Sequence, residues 1–163
     1  MLLAEICSVL GLDLSVRVYP GSRPLRDSRH AGILARLQRH LHRSLGWGTE
    51  VPLPSVGDRR SFDGLIRGPG WRFAVEAELN PIDGQAMLRR LALKRRDGDV
   101  DGLILLLPDT RQTRWFRREY AELLAADFPL GAAEVIRALE SGQRPAANGV
   151  VVMRQARSLP IGL

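Results

Sequence analysis

Carboxylates suited to metal chemistry sit in the middle of the chain. In the segment Phe73-Ala74-Val75-Glu76-Ala77-Glu78-Leu79, Phe73, Val75, Ala77 and Leu79 fall on one face of a strand and Glu76 and Glu78 on the other, because successive strand side chains point to opposite sides. Gly68-Pro69-Gly70 reads as a hairpin turn. If the hairpin is symmetric about Pro69-Gly70, Asp63 lies across from Glu76 with Cβ atoms about 5 Å apart. Like charges so placed repel unless something offsets them. A hard divalent cation such as Mg²⁺ or Mn²⁺ would do so, since it takes oxygen ligands and is commonly held by one or two carboxylates plus water. An arginine would also serve. The alternative is that Glu76 and Glu78 are solvated residues on the open face of an antiparallel sheet.

Other groups carry less chemistry. Asp97-Gly98-Asp99-Val100-Asp101-Gly102 imitates the start of a calcium loop, but Pro108 stands where a bidentate glutamate is needed. Asp109 reads as a helix cap. His30, His40 and His42 have no carboxylate or cysteine at helpful spacing and read as surface or packing residues. Arg111, Arg114, Arg117 and Arg118 accompany Trp115, Phe116 and Tyr120, a mixture able to contact phosphate and stack a base. The pattern reads first, however, as core aromatics beside a solvated arginine face. There is no Gly-x-x-x-x-Gly-Lys loop and no Gly-x-Ser-x-Gly turn, so nucleotide hydrolysis and serine-esterase chemistry have no support.

The elements that must position these residues follow from periodicity. Residues 2–10 read as a short helix and 14–19 as a strand, then Ile33, Leu34, Leu37, Leu41 and Leu45 recur at helical spacing over 27–45, with Gly46 just past the end. Strands are predicted at 47–53, 61–66 and 71–79. Asn80 is an N-cap candidate, Pro81 suits a first helical position and Asp83 favours the positive end of the dipole, which predicts a helix over 81–96. The apolar run 102–107 reads as a buried, parallel central strand. Helices at 111–126 and 132–140 follow, the first capped by Asp109 or Thr110, then a strand at 149–153 and a frayed tail over 154–163.

The 163 residues, 45% of them apolar, suit one domain with a real core. Cys7 is the single cysteine, so no internal disulfide is possible, and no Cys/His spacing suits zinc. Met1-Leu2-Leu3-Ala4-Glu5 lacks the basic start of a signal peptide, and no apolar run nears the ~18 residues of a membrane span. The expectation is a cytoplasmic protein without a membrane partner. A net charge of +6 favours an acidic partner, nucleic acid first. Of 24 basic residues only Lys94 is a lysine, a ratio that reflects codon usage as much as phosphate contacts.

Ser61-Phe62-Asp63-Gly64, then Val75-Glu76-Ala77-Glu78, then a helix carrying Gln85, together resemble the PD-(D/E)XK nuclease pattern of Asp, Glu-x-Lys and a downstream Gln. The resemblance implies an α/β fold with a restriction-endonuclease-like core: helix, three strands, helix and strand around a mixed sheet, with additional C-terminal helices. It implies Asp63 and Glu76 as metal ligands for Mg²⁺ or Mn²⁺, Gln85 as an accessory group and phosphodiester hydrolysis as the reaction. The lysine position holds Glu78, which is acidic and repels phosphate, although Arg89, Arg90 and Lys94 on the next helix offer cations. Arg59, Arg60, Arg89, Arg90 and Lys94 are the candidate nucleic-acid contacts. The junction within residues 3–27 is similar to that in bacterial regulators of the actinobacterial xenobiotic-response-element type, where a helix-turn-helix domain precedes a nuclease-like domain. The implied organisation is a junction over 1–26, a nuclease-like domain over 27–153 and a tail. Two readings stand: a non-catalytic accessory or regulatory domain of a DNA-associated transcriptional regulator, able to act as a homodimer, and a Mg²⁺-dependent nuclease with Asp63, Glu76 and Glu78 at its centre. A third makes the acidic face a protein-interaction surface.

Overall fold

The computed structural model describes residues 24–154 apart from residue 56. The helix expected at 2–10, the strand at 14–19 and the tail beyond 154 lie outside the described residues. In chain order these form α1 (Pro24–Gln38), β1 (Gly46–Pro52), β2 (Ser61–Gly68), β3 (Trp71–Ala77), α2 (Gly84–Asp97), β4 (Gly102–Pro108), α3 (Arg111–Glu119), α4 (Ala121–Asp127), α5 (Ala132–Glu140) and β5 (Gly149–Met153). The five strands make one sheet in the order β1-β2-β3-β4-β5. Its first two pairings are antiparallel and its last two parallel. The fold is therefore α/β with a mixed sheet, and every residue of β4 is buried, as its uninterrupted apolar run requires.

Alternating strand residues divide the core into two layers. Phe73 and Val75 of β3 and Ile104 and Leu106 of β4 pack with Ile33, Leu34 and Leu37 of α1 and Val135 and Leu139 of α5. Ala74, Leu103, Leu105 and Leu107 pack on the other face against Met87, Leu88 and Leu91 of α2, Phe116 of α3 and Leu124 of α4. One irregularity shapes the site. Phe62 and Ile66, which a regular strand would place on one face, belong to opposite cores, as do Val51 and Trp47 on the paired strand. Both strands thus turn over near Asp63, opposite which Glu50 adopts φ 49°.

Some helix limits differ from the periodicity. α1 stops at Gln38, not at Leu45, because the following turns carry the chain to α5: His42 N–H bonds to the Leu139 carbonyl (2.9 Å) and His40 pairs with Glu140 (2.7 Å). Leu41 and Leu45 still face the core, which is why they mimic a continuing helix; Gly46 opens β1. Asp83, not Asn80, caps α2, its carboxylate accepting the Ala86 N–H at 3.0 Å. Thr110, not Asp109, caps α3. The helix expected over 111–126 breaks at Tyr120, whose ring packs on Gly84 and lies 4.9 Å from the Phe116 ring centre. Among the described residues, no helix is long and apolar enough to cross a membrane.

Candidate functional site

The β2–β3 register is symmetric about Pro69-Gly70 and runs from Gly68↔Trp71 to Gly64↔Val75, so Asp63 and Glu76 follow its last pair, near enough for the Asp63 charge to act on Glu76. The turn-over of β2 then separates their partners. Asp63 Oδ2 accepts the Ala77 N–H at 2.8 Å and lies 3.2 Å from His30 Nε2, on α1. Glu76 faces α2, where Lys94 Nζ stands 2.8 Å from both of its carboxylate oxygens and donates also to the Ser61 carbonyl at 2.8 Å. An ammonium has three protons, and here three acceptors take them. The pair is nearly sealed from water, with side-chain exposures of 13% for Lys94 and 7% for Glu76.

The charges in this cluster perturb one another. Burial, followed by the charge of Asp63, pushes the Glu76 carboxyl up to about 7, against the pull of Lys94. For Asp63, burial works upward but is outweighed by the hydrogen bonds from His30 and the Ala77 amide, which with the nearby positive charges leave its carboxyl below the usual range. The hydrogen bond to Asp63 raises His30, with burial opposing it.

Glu78 lies just past β3 and takes an ion pair from Arg90 at 3.0 Å. Gln85 is exposed at the start of α2 and makes no bond to the cluster. Of the cations expected to meet nucleic acid, Lys94 and Arg90 are thus engaged with glutamates. Arg60 is held by Asp58 and Asp97, at 2.6 and 2.7 Å. Arg59 and Arg89 are exposed and without a side-chain partner among the described residues.

His30 is the member that sequence reasoning passed over. It precedes Ile33, Leu34 and Leu37 by three, four and seven positions, so it extends the buried stripe of α1 by one turn. Lys94 likewise continues Met87 and Leu91 on α2. In a chain that otherwise uses arginine for every cation, that position was a further signal: a guanidinium brings five N–H donors in a planar fork, and this site offers three acceptors.

The donor set can be tested against a divalent cation. Both Glu76 oxygens and one Asp63 oxygen already meet hydrogen-bond donors, and among the described residues no group of three or more His, Cys, Asp or Glu side chains converges. Mg²⁺ needs near-octahedral oxygen ligation at about 2.1 Å. As arranged, Glu76 is fitted to the Lys94 ammonium and Asp63 to the His30 ring and the Ala77 amide rather than to such an ion. Nor is any buried side-chain nitrogen or oxygen left without a partner among the described residues. The chain matches no family model, and neither a curated protein nor a solved structure matches it.

Proposed function

We propose that the chain is a nuclease-like domain of restriction-endonuclease-like core that does not hydrolyse phosphodiesters and serves as an accessory, regulatory part of a DNA-associated transcriptional regulator. The observation that carries the non-catalytic reading is the Lys94 ammonium on both oxygens of Glu76. A nuclease of this type needs the carboxylates free to hold a metal and a cation free to meet the attacking water or the phosphate. Here each acid has an internal partner: His30 for Asp63, Lys94 for Glu76, Arg90 for Glu78. The helix, three strands, helix and strand from α1 to β4 support the nuclease-like core, and the net charge of +6 supports association with DNA.

Calorimetric titration of the protein with Mg²⁺ and Mn²⁺, beside Asp63→Ala, tests this directly, with the same samples assayed on labelled single- and double-stranded DNA. The expected result is no metal heat and no cleavage. Metal binding that Asp63→Ala abolishes, together with metal-dependent cleavage by the parent alone, would overturn the reading in favour of a nuclease using Asp63 and Glu76.

A further inference from the structure

The exposed face of α3 carries a feature that the carboxylate cluster does not explain. Trp115 is 42% exposed and Ile82, beside it, 64% exposed. Together with Arg111, Gln112 and Arg118 they line one open depression. Gln112 Nε2 bonds to the Pro81 carbonyl at 3.0 Å, which fixes the Ile82 loop against the helix. Thr113 and Phe116 anchor the opposite face in the core, so packing places Trp115 on the outer side of α3. Arg111 and Arg118 stand seven residues apart on one side of the helix, about 10 Å along its axis, and bracket the indole.

Arg117 and Arg118 in the last turn suit the negative end of the helix dipole, but the rest of the arrangement opposes helix stability. Arg111 occupies the first position of α3, at the positive end of the dipole, and the first turn has no acidic residue. Arg114 repels Arg111, Arg117 and Arg118 at three- and four-residue spacing. Only Arg114 has an acidic partner, Asp109 at 2.6 Å; Arg111, Arg117 and Arg118 have no side-chain partner among the described residues.

We infer that this face of α3 binds unpaired nucleic acid, with a base stacked on Trp115 and the flanking phosphates on Arg111 and Arg118. A tryptophan bracketed by unpaired guanidiniums suits a ligand that alternates flat rings with negative charges; an acidic peptide supplies the charge without the ring. A base is free to stack on a side chain when it is unpaired, which favours a single strand. The inference rests on the DNA-associated reading above for its partner class.

The test uses the full chain and a labelled oligothymidylate about 12 nucleotides long, with anisotropy for affinity and tryptophan emission for stacking. Trp115→Ala is expected to weaken binding about 5- to 150-fold, the range of one stacked base, and to abolish the quenching, while Trp115→Phe retains most of the affinity. Arg111→Gln with Arg118→Gln is expected to reduce the salt slope by about 1.4, as for two lost single-strand phosphate contacts. The inference is overturned if the oligonucleotide does not bind, if Trp115→Ala binds as the parent does, or if polyglutamate competes as well as the oligonucleotide. Cleavage of the oligonucleotide by the parent would sink the non-catalytic reading while leaving the Trp115 result standing. A missing Trp115 effect without cleavage would sink this inference alone.

Discussion

At the scale of single residues, Glu76 makes the stability of the protein depend on pH in a direction opposite to that of an ordinary paired carboxylate. In the unfolded chain a glutamate releases its proton near 4.5, whereas in the fold Glu76 keeps it to about 7. Between those values the folded state holds a proton that the unfolded state has lost, so raising the pH removes stability. His30 acts in the same direction: its raised value gives a contribution present below its ordinary 6.5 and lost as pH rises through the folded value. Asp63 opposes them only in acid, where its lowered value gives stability that is lost as the pH falls below the usual carboxylate range. The melting temperature is therefore expected to decline from about pH 5 to about pH 8. Lys94→Met should steepen that decline, because it leaves Glu76 buried without its cation. Breaking such a pair costs about 3–5 kcal/mol where the carboxylate is charged, and less near pH 5, where Glu76 is protonated. Calorimetric melts of parent and variant across that range check both statements; a flat parent profile would mean that Lys94 holds Glu76 ionised throughout. The hairpin register that brings Asp63 and Glu76 near one another was legible in the sequence, because it follows from symmetry about Pro69-Gly70. Which cation meets which acid was not, since that depends on the turn-over of β2 and on where α1 and α2 lie across the sheet.

Elements were legible where one physical cause dominated. β4, α5 and β5 appear within a residue of their expected limits, because apolar runs and helical spacing there end at proline, glycine or a polar loop. They were misjudged where tertiary contacts override a continuing pattern, as at Gln38, where the chain turns to meet α5, and at Tyr120, where the ring on Gly84 breaks one expected helix into α3 and α4. The junction of α2 with β2 is of the same tertiary kind. A Cβ on Gly98, the C-cap of α2, would collide with the Phe62 ring and the Lys94 carbonyl, and Lys94 is the residue that joins α2 to Ser61 and Glu76. Gly98→Ala is expected to destabilise the protein by about 1–3 kcal/mol through overpacking, as measured by urea denaturation. An unchanged midpoint would mean that Phe62 can move aside without loss.

At the scale of the whole sheet, its order equals the order of its strands in the chain, so each new strand is laid beside its predecessor, and among the described residues the only crossovers are those of β3 to β4 and β4 to β5. That simplicity is why the helix, hairpin, helix and parallel-strand plan could be read from alternation and turn residues alone, whereas the division into two cores around it could not. The single lysine has a consequence at this scale. Lys94 supplies the chain's one side-chain primary amine, and in the fold that amine is matched to three acceptors between α2 and the β2–β3 hairpin. Acylation of Lys94 then proceeds only when α2 lifts from the β2–β3 hairpin. Its rate, followed by mass spectrometry on the intact protein, becomes a clock for that opening, slower than in the urea-unfolded chain by the equilibrium population of the open state.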